Sequence, residues 1–472
     1  MKRLSTIVTL LLISIAAAAQ PSDGFLLGAM NLGKMPGASM VVIKDGQWIM
    51  NKNLGKADMA QNIPVTRNTI FMMASVSKTI VATAVMQQWE KGHIDLDVDV
   101  NHYLPFVLRN PTHPLDSITM RMLVTHTSAI QDNWTVMGSL YVLGDSPISL
   151  DTFMKHYFVQ GGTYYDPSNN FYTYAPGAQW NYSNMAITLA AYVVQRVTGD
   201  DFDHYCDTAI FSKICMKPTS WKLEHLDTTK IARPYSWYNN MYNDDGLYGY
   251  PDYPDGQLRC NVTSLARFMT MYMQRGIYQG VRILDTSTVD YMLKQQTTVA
   301  TDQGIVFYSA PSSNGDLLWG HNGGDGGVNT AMYFSPTKKT GAIVLTNGDG
   351  TSTVSADLLV DTLYKWGVTV TPAVNDTFPA CNEALAIGGV PTVAGEVTVS
   401  PNPTQGNINI DVPAAGMMVL TDMQGSVKAK FILTQGSNHM QFPSELPAGI
   451  YFAQMLTKEG EVMAVKKLVL IR

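Results

Sequence analysis

The pattern of apolar and polar residues predicts a strand pair near the start of the chain and buried helices after it. Short alternating runs at 38–44 and 47–51 flank Asp45-Gly46, which is typical of two strands joined by a tight turn. Residues 80–86 are apolar on nearly every side, which predicts a buried helix over 75–90 that Gly92 ends. A similar run at 185–197 precedes Thr198-Gly199 and predicts a second buried helix.

Further helices and strands are predicted before residue 370, and a linker and a different kind of domain after it. We predict a short helix running into a loop at 118–130, a helix at 263–274, and strands at 329–334 and 342–346 after a Gly-rich turn. Two Asn-rich aromatic loops fill 161–180 and 235–253, where the rings either rim a cleft or only pack. Pro and Gly then mark a linker, and the short strands beyond it predict a small all-β sandwich domain.

The N-terminus has the pattern of a secretory signal. Lys2 and Arg3 precede an apolar stretch at 7–15 and the small residues 17–19. No later apolar run approaches the ~18 residues that a membrane span needs. We therefore predict an exported, soluble protein with a signal peptide at 1–19, a main domain at 20–370, a linker at 371–395 and a C-terminal domain at 396–472.

Composition narrows the class of partner and cofactor. The net charge is −6 over 472 residues, with no long run of Lys or Arg, which argues against nucleic acid as a partner. Cys206, Cys215, Cys260 and Cys381 permit two disulfides, and we predict Cys206–Cys215 because that short segment can fold back on itself. No Cys-x-x-Cys or His-Glu-x-x-His pattern occurs, so we predict neither a metal nor another cofactor.

Ser75 and Lys78 are the first candidates for chemistry. If a helix begins near Ser75, the two side chains lie on the same helix face. A serine hydroxyl is a weak nucleophile until a base lies within hydrogen-bond reach, and burial lowers the pKa of a lysine so that it can be that base. A helix start also directs a backbone N–H at a developing oxyanion. Because Ser335-Pro336-Thr337-Lys338 repeats the spacing, the pair needs partners elsewhere in the chain.

Two further motifs follow in order along the chain. Tyr182-Ser183-Asn184 introduces the helix at 185–197, whereas Tyr238-Asn239-Asn240 repeats its spacing without a helix. His321-Asn322-Gly323 is followed by further glycines, Gly324 first, which let backbone N–H groups approach a ligand. Lys339-Thr340-Gly341 is the alternative, but it runs into a buried strand and fits a hairpin turn. We therefore favour Tyr182 and His321 as the partners.

Together with the run Leu-Val-Thr-His-Thr-Ser at 123–128 and Pro176-Gly177, these motifs resemble the penicillin-recognising serine hydrolases. The nearest groups are the class C β-lactamases and the D-alanyl-D-alanine carboxypeptidase-like esterases and peptidases. The resemblance covers roughly residues 30–366. It implies an α/β (α+β) fold, in which helices cover an antiparallel sheet, a mainly helical subdomain lies beside it, and the cleft lies between the two.

The resemblance also assigns roles. Ser75 attacks an ester or amide carbonyl, and Lys78 and Tyr182 take its proton and return it to the leaving group. The backbone N–H groups of Ser75 and Gly324 hold the oxyanion, and water then hydrolyses the acyl-enzyme.

The same resemblance implies three binding residues beside the reacting groups. Asn184 positions Lys78 or the substrate, and His321, which Gly323 follows closely, contributes a hydrogen bond or a charge. Two residues depart from the family pattern: Asn322 replaces a small or hydroxyl residue, and Ala129 replaces a glycine. These departures favour a small-ester esterase or D-amino-acid peptidase, which includes cell-wall peptides. The alternatives are a β-lactamase and a module that binds penicillin or peptides without turnover.

The C-terminal segment resembles a type A sorting domain of the type IX secretion system. The matching stretches are Ser400-Pro401-Asn402-Pro403, Asp422-x2-Gly425, 446–451 and 467–472. This resemblance implies that the secretion machinery is a partner, that the protein reaches the cell surface or the medium, and that most of the domain is trimmed. The alternative is a generic sugar-binding β-sandwich.

Overall fold

The computed structural model describes residues 20–372, 397–422, 427–457 and 462–471. Its backbone contacts divide the chain into two compact units, Met1–Phe378 and Pro379–Arg472. The predicted signal peptide at 1–19 lies outside the described residues, and so does the predicted linker after residue 372.

The strands of the first unit are β1 (Gly37–Lys44), β2 (Gln47–Asp58), β3 (Ile63–Pro64), β4 (Ile70–Met72), β5 (Val142–Leu143), β6 (Thr219–Ser220), β7 (Tyr235–Tyr238), β8 (Met241–Asp244), β9 (Tyr248–Gly249), β10 (Arg259–Asn261), β11 (Ile277–Tyr278), β12 (Val281–Arg282), β13 (Tyr308–Pro311), β14 (Leu317–Asp325), β15 (Val328–Ser335) and β16 (Thr340–Thr346). Seven of them form the main sheet in the order β13-β14-β15-β16-β1-β2-β3, and every neighbouring pair is antiparallel.

The helices of the same unit are α1 (Asp23–Leu32), α2 (Lys78–Glu90), α3 (Met120–Val124), α4 (Trp134–Ser139), α5 (Leu150–Phe158), α6 (Asn184–Thr198), α7 (Phe202–Cys206), α8 (Val262–Met273), α9 (Thr286–Met292) and α10 (Ala356–Thr369). The helices α2 to α7 all lie in the stretch between β4 and β10, which contains more helix than strand.

The central strands are buried on both faces, because successive side chains of a strand point to opposite sides. In β1, Val41 and Ile43 join the core shared with α2 and α8, whereas Met40 and Val42 join the core shared with α1 and α10. This arrangement explains why the central strands read as nearly continuous apolar runs. The predicted fold class, an antiparallel sheet covered by helices, is confirmed.

Two sequence expectations in this unit were wrong. The stretch 235–253 is more than a loop, because β7 and β8 form an antiparallel hairpin within it. The predicted Cys206–Cys215 disulfide does not form: Cys206 is a free thiol buried at the end of α7, while Cys215 is disulfide-bonded. Helical geometry explains the error, since α7 directs Cys206 into the hydrophobic core. Cys260 is also free and buried, and Cys381 lies outside the described residues.

The second unit is all β where it is described. Its strands are β17 (Thr398–Ser400), β18 (Asn407–Val412), β19 (Gly416–Thr421), β20 (Val427–Leu433), β21 (Gly436–Gln441), β22 (Gly449–Thr457) and β23 (Val462–Leu470). They form two antiparallel sheets, β17-β18-β21 and β20-β19-β22-β23. One hydrophobic cluster takes side chains from both sheets, Ile410 from the first and Leu420 and Met455 from the second, as in a small sandwich.

Neither described unit contains a helix with the length and apolar character that crossing a bilayer requires.

Candidate active site

Ser75 lies on a tight turn that leads into α2. Residues Ala74–Ser77 form a single 3₁₀ turn, and the α-helix begins at Lys78. The residue before the serine, Ala74, has a φ of 44°, a left-handed conformation that is costly for alanine. Burial and a hydrogen bond from Thr330 Oγ1 to the carbonyl of Met73 (2.7 Å) hold this segment in place. The turn thereby presents Ser75 at the start of a rigid helix.

The structure brings Lys78 and Ser75 into direct contact. The Lys78 ammonium donates to Ser75 Oγ at 3.0 Å and to the backbone carbonyl of Asp255 at 2.6 Å. Its side chain is fully buried, and its Nζ lies 5.0 Å from the ring centroid of Tyr182. The side chains of Ser75 and Tyr182 therefore both lie next to the Lys78 ammonium, so the three candidate catalytic residues form one site.

The charge state of Lys78 differs from the sequence expectation. Burial disfavours the ammonium, but the attraction of Tyr182, Asp255 and Asp132 outweighs that effect, so the pKa of Lys78 is raised and not lowered. Lys78 is thus a hydrogen-bond donor to Ser75 in the resting site, and the free amine predicted from burial alone is wrong.

The side-chain hydroxyl of Tyr182 is available for chemistry beside Lys78. The hydroxyl is buried and makes no hydrogen bond of ordinary geometry with the residues that the structure describes, although its oxygen interacts with the Lys78 ammonium. Its ring stacks on that of His126, with centroids 4.4 Å apart, and lies 6.1 Å from the ring of His321. The hydroxyl is therefore free to bond a serine proton, a water molecule or a substrate.

Asn184 forms no hydrogen bond with Lys78, so one of its two predicted roles has no support in its bonding. Its side-chain amide donates to Asp132 Oδ2 at 2.8 Å, and the backbone N–H groups of Asn184 and Met185 donate to the same carboxylate at 3.0 Å each. Asp132 therefore caps the first turn of α6 together with Ser183, whose Oγ accepts from the N–H of Ala186. Asn184 belongs to this cap.

His321 is buried on β14, and one of its two ring nitrogens is hydrogen-bonded. Its Nδ1 lies 2.5 Å from the carbonyl oxygen of Asn322, which assigns the proton to Nδ1 as the donor. Burial, reinforced by the charge of Lys78, lowers the pKa of His321 to about 3. The ring is neutral near pH 7, so it cannot supply the charge that was one expectation. Its Nε2 is left as a buried acceptor with no partner among the described residues.

Strand alternation explains which residues of this motif face Ser75. His321 and Gly323 point to one side of β14, and a Cβ on Gly323 would stand 2.8 Å from the Ser75 amide nitrogen. Asn322 points to the other side, where its amide contacts Tyr308 and Asp357. Gly324 is exposed, with open space where its Cβ would be. The departure at Asn322 therefore lies off the face that carries Ser75.

Ala129, the second departure from the family pattern, has a strained backbone conformation. Ala129 has a φ of 59°, in the left-handed region that glycine adopts freely. An alanine at this position is strained where a glycine would not be, which explains why the family pattern places glycine there.

The alternative motifs lie in hairpin turns. Lys339 is exposed in the turn between β15 and β16, at the end of β15 remote from Gly324. Ser335 lies at the start of the same turn, and the amine of Lys338 pairs with Asp316. Tyr238 is 68% exposed beside the β7–β8 turn. These placements separate the alternative motifs from the cluster around Lys78.

The aromatic loops mainly pack. Phe171 belongs to the core, Tyr164 and Tyr165 lie against it, and the Tyr235 hydroxyl accepts a hydrogen bond from the backbone of Met59. Trp237 stacks edge-on with the ring of its hairpin partner, Tyr242. These contacts favour the packing alternative for those residues.

The structure adds two residues to the site that the sequence interpretation missed. His126 is buried against Tyr182, its Nδ1 accepts from the N–H of Ser183 at 3.1 Å, and its pKa is well below the ordinary value because of burial and the charge of Lys78. Asp132 caps α6 as described above. The Thr-His-Thr-Ser run was a signal for His126, whereas nothing local to the sequence distinguishes Asp132.

Among the residues with described structure, no cluster of three or more His, Cys, Asp or Glu side chains has the arrangement of a metal site.

Comparisons with known proteins agree with this geometry. The family described as Beta-lactamase matches residues 28–363, and the secretion system C-terminal sorting domain matches residues 398–471. The chain is therefore a member of the β-lactamase family of serine hydrolases, a family that includes esterases and amidases, with a type IX sorting domain at its C-terminal end. That sorting domain indicates secretion to the cell surface or the medium.

Individual relatives are distant. The chain is 25% identical to the putative penicillin-binding protein PbpX of Bacillus subtilis, over 65% of this chain and 69% of the relative. It is 28% identical to the esterase EstB of Burkholderia gladioli, over 47% of this chain and 55% of EstB, so it spans about half of that relative.

Two solved structures show the same fold. A penicillin-binding protein homologue from Pyrococcus abyssi superposes with a TM-score of 0.60 at 19% identity, covering 95% of this chain and 96% of that one. The D-amino acid amidase of Ochrobactrum anthropi superposes with a TM-score of 0.59 at 19% identity, covering 74% of this chain and 97% of that one.

Proposed function

We propose that this protein is an exported serine hydrolase that cleaves an ester or amide through an acyl-enzyme on Ser75. The observation that carries the proposal is the 3.0 Å contact between the buried Lys78 ammonium and Ser75 Oγ, at a strained turn that leads into a helix. A buried cation on a serine oxygen stabilises the negative charge that develops there when the oxygen attacks a carbonyl.

In this proposal Tyr182 relays protons while Lys78 stays charged. Ser75 Oγ forms a bond to the carbonyl carbon and gives its proton to the Tyr182 oxygen, and Tyr182 gives its own proton to the leaving group. The leaving group departs and a water molecule takes its place. The water then loses a proton to Tyr182 as it attacks the acyl carbon, and Tyr182 returns a proton to Ser75.

The oxyanion is held by backbone donors. The amide of Ser75 begins a helix, and Gly324 offers an exposed backbone on the neighbouring strand. His321 Nε2, an unpartnered acceptor on the same face as Ser75, bonds a donor group of the substrate. A D-amino-acid peptide or a cell-wall peptide carries both a scissile carbonyl and such donors, and a small ester does so when it bears an N–H or O–H group.

Covalent labelling tests this proposal. A fluorophosphonate probe reacts with an activated serine, so the wild-type protein labels and Ser75→Ala does not. Ser335→Ala is the matched control, because Ser335 is a serine with the same spacing to a lysine in a hairpin turn, and it labels normally. Labelling that persists in Ser75→Ala would contradict the proposal. A panel of esters, D-peptides and a chromogenic β-lactam then assigns the substrate class.

The second candidate is a β-lactamase or a penicillin-binding module, which the likeness to PbpX favours. The two candidates differ in deacylation. A binding module keeps a fluorescent penicillin attached to Ser75 for hours, whereas a β-lactamase turns it over within the mixing time.

The remaining parts of the chain belong to export. We propose that residues 1–19 act as a signal peptide, that 20–370 form the catalytic domain, and that 371–395 link it to a sorting domain at 396–472 that the secretion machinery removes. Intact-mass measurement of the protein in the culture medium tests this division. A full-length protein confined to the periplasm would contradict it.

A further inference from the structure

Asp325 is a charged residue that the proposed chemistry does not use. It ends β14 two positions after Gly323, so its side chain lies on the face of the sheet that carries His321 and Ser75. It is partly exposed, and its neighbour Gly324 is exposed with open space beside it. A carboxylate therefore lies at the accessible end of the strand that passes the nucleophile.

Tyrosine side chains fix the orientation of this carboxylate. Tyr141 donates to Asp325 Oδ1 at 3.2 Å, Tyr250 donates to Oδ2 at 3.1 Å, and the N–H of Gly326 donates to Oδ1 at 2.8 Å. The Tyr248 hydroxyl, which donates to the carbonyl of Gly326 at 2.8 Å, interacts with the same carboxylate. The carboxylate is thus held in one orientation at the rim of the three tyrosines.

The same tyrosines connect Asp325 to the nucleophile. Tyr248 and Tyr250 pack in one cluster with Ala74, the residue directly before Ser75. The rings of Tyr141 and Tyr250 lie 4.7 Å apart and those of Tyr141 and Tyr248 lie 5.5 Å apart. Three aromatic rings and a carboxylate form a site of the kind that attracts a cation.

The part of the chain that the structure describes offsets the charge of Asp325 only in part, through the ammonium of Lys78. Among the described residues it has no ion-pair partner. The guanidinium of Arg259 is near, but it donates to the backbone carbonyls of Tyr248, Trp221 and Gln257. Burial raises the pKa of Asp325 despite its hydrogen bonds and the charge of Lys78, so a bound cation would relieve an unfavourable charge.

We propose that Asp325, framed by Tyr141, Tyr248 and Tyr250, binds an ammonium group of the substrate within a few bonds of the scissile carbonyl. The preferred substrates are then amino-acid esters or amides with a free α-amino group. This inference rests on the proposed function and adds the charge of the substrate to it. The buried polar atoms Tyr182 Oη and His321 Nε2 contact the remainder of such a substrate.

Protection from labelling tests the inference without requiring turnover. The mature protein is incubated at pH 6.5 with phenylalaninamide or N-acetylphenylalaninamide, in both D and L forms, and then with the fluorophosphonate probe. At this pH the free α-amino group is charged, since its ordinary pKa is about 7.7 to 8.0. For one of the two stereoisomers, the free amine should protect Ser75 at a concentration at least about tenfold lower than its acetylated counterpart.

Two variants locate the effect. In Asp325→Asn the difference between free and acetylated amides should fall to within about twofold. Asp361→Asn is the matched control, because Asp361 also accepts three hydrogen bonds, from Ser312 and Ser313, but lies on α10 at the other face of the sheet. It should keep the wild-type difference.

Each possible result has a separate meaning. Absence of labelling in the wild type would reject the proposed function itself. Labelling with equal protection by free and acetylated amides would reject the ammonium site and leave the hydrolase intact, and this comparison needs no variant. A preference that survives in Asp325→Asn would assign cation binding to another group and would also overturn the inference.

Discussion

Gly323 lies so close to the Ser75 turn that a Cβ on this glycine would stand 2.8 Å from the Ser75 amide nitrogen and 2.7 Å from the Met73 carbonyl oxygen. Both atoms belong to backbone, which cannot move aside as a flexible side chain can. The position therefore fixes how closely β14 approaches the proposed oxyanion donors.

Gly323→Ala should lower kcat/KM on an ester by about 100-fold, because a shift of about 1 Å between strand and nucleophile costs that much in positioning. Steady-state kinetics measure the change. Gly28→Ala is the control, since Gly28 lies in α1 with nothing within 4 Å of its Cβ position, and its kinetics should match the wild type. Equal rates in both variants would show that the strand need not approach Ser75.

Lys78→Arg should lower kcat/KM by on the order of 10²-fold or more, although it preserves the charge. Lys78 is fully buried and bonds both Ser75 Oγ and the Asp255 carbonyl, so a planar guanidinium cannot take its place. Lys339→Arg, on an exposed turn, is the control and should not change the rate.

The raised pKa of Lys78 adds an expectation for pH. Because Lys78 stays charged through the neutral range, the wild-type profile of kcat/KM on a neutral ester should show no activating ionisation of this lysine near pH 7. A rise near pH 7 that disappears in Lys78→Arg would restore the lysine as the free base.

His321→Ala should reduce kcat/KM by about 5- to 150-fold, which corresponds to about 1 to 3 kcal/mol for a hydrogen bond to the substrate. Lys339→Ala should change the rate and the free energy of unfolding by no more than about 0.5 kcal/mol. Both variants are compared on one ester. The opposite order would move the third motif to Lys339 and favour a β-lactamase.

Acid should destabilise the protein partly through His321. Its pKa is about 3 in the folded protein and about 6.5 in an unfolded chain, so the unfolded state binds more protons between these values. The free energy of unfolding therefore falls as the pH drops through 6.5 toward 3. Urea denaturation at pH 7 and pH 4.5 should show a smaller loss for His321→Asn than for the wild type.

His204→Asn is the control for this measurement. His204 is exposed and pairs with Asp200, which raises its pKa, so its contribution to the pH dependence has the opposite sign. The variant should therefore lose at least as much stability as the wild type between pH 7 and pH 4.5, and not less. Equal losses for the wild type and His321→Asn would mean that this ring does not stay neutral in the folded state.

The sequence by itself determined the parts of the fold that depend on neighbouring residues. The turn at Asp45-Gly46 joins β1 and β2 as predicted, and α6 ends at Thr198 before Gly199, whose φ of 71° suits glycine. The order of the motifs around Ser75, Tyr182 and His321 was enough to identify the family. Periodicity and short spacings carry this information, because backbone geometry repeats over a few residues.

The tertiary structure alone decided the electrostatics and the long-range contacts. Lys78 keeps its charge because Tyr182, Asp255 and Asp132, all remote in sequence, together outweigh the effect of burial. Cys206 failed to pair with the nearby Cys215 because α7 turns it into the core. Asp325 stands beside the Ser75 turn only because β14 packs against it. Charge interactions and packing act through space, so the folded chain sets them and no local pattern records them.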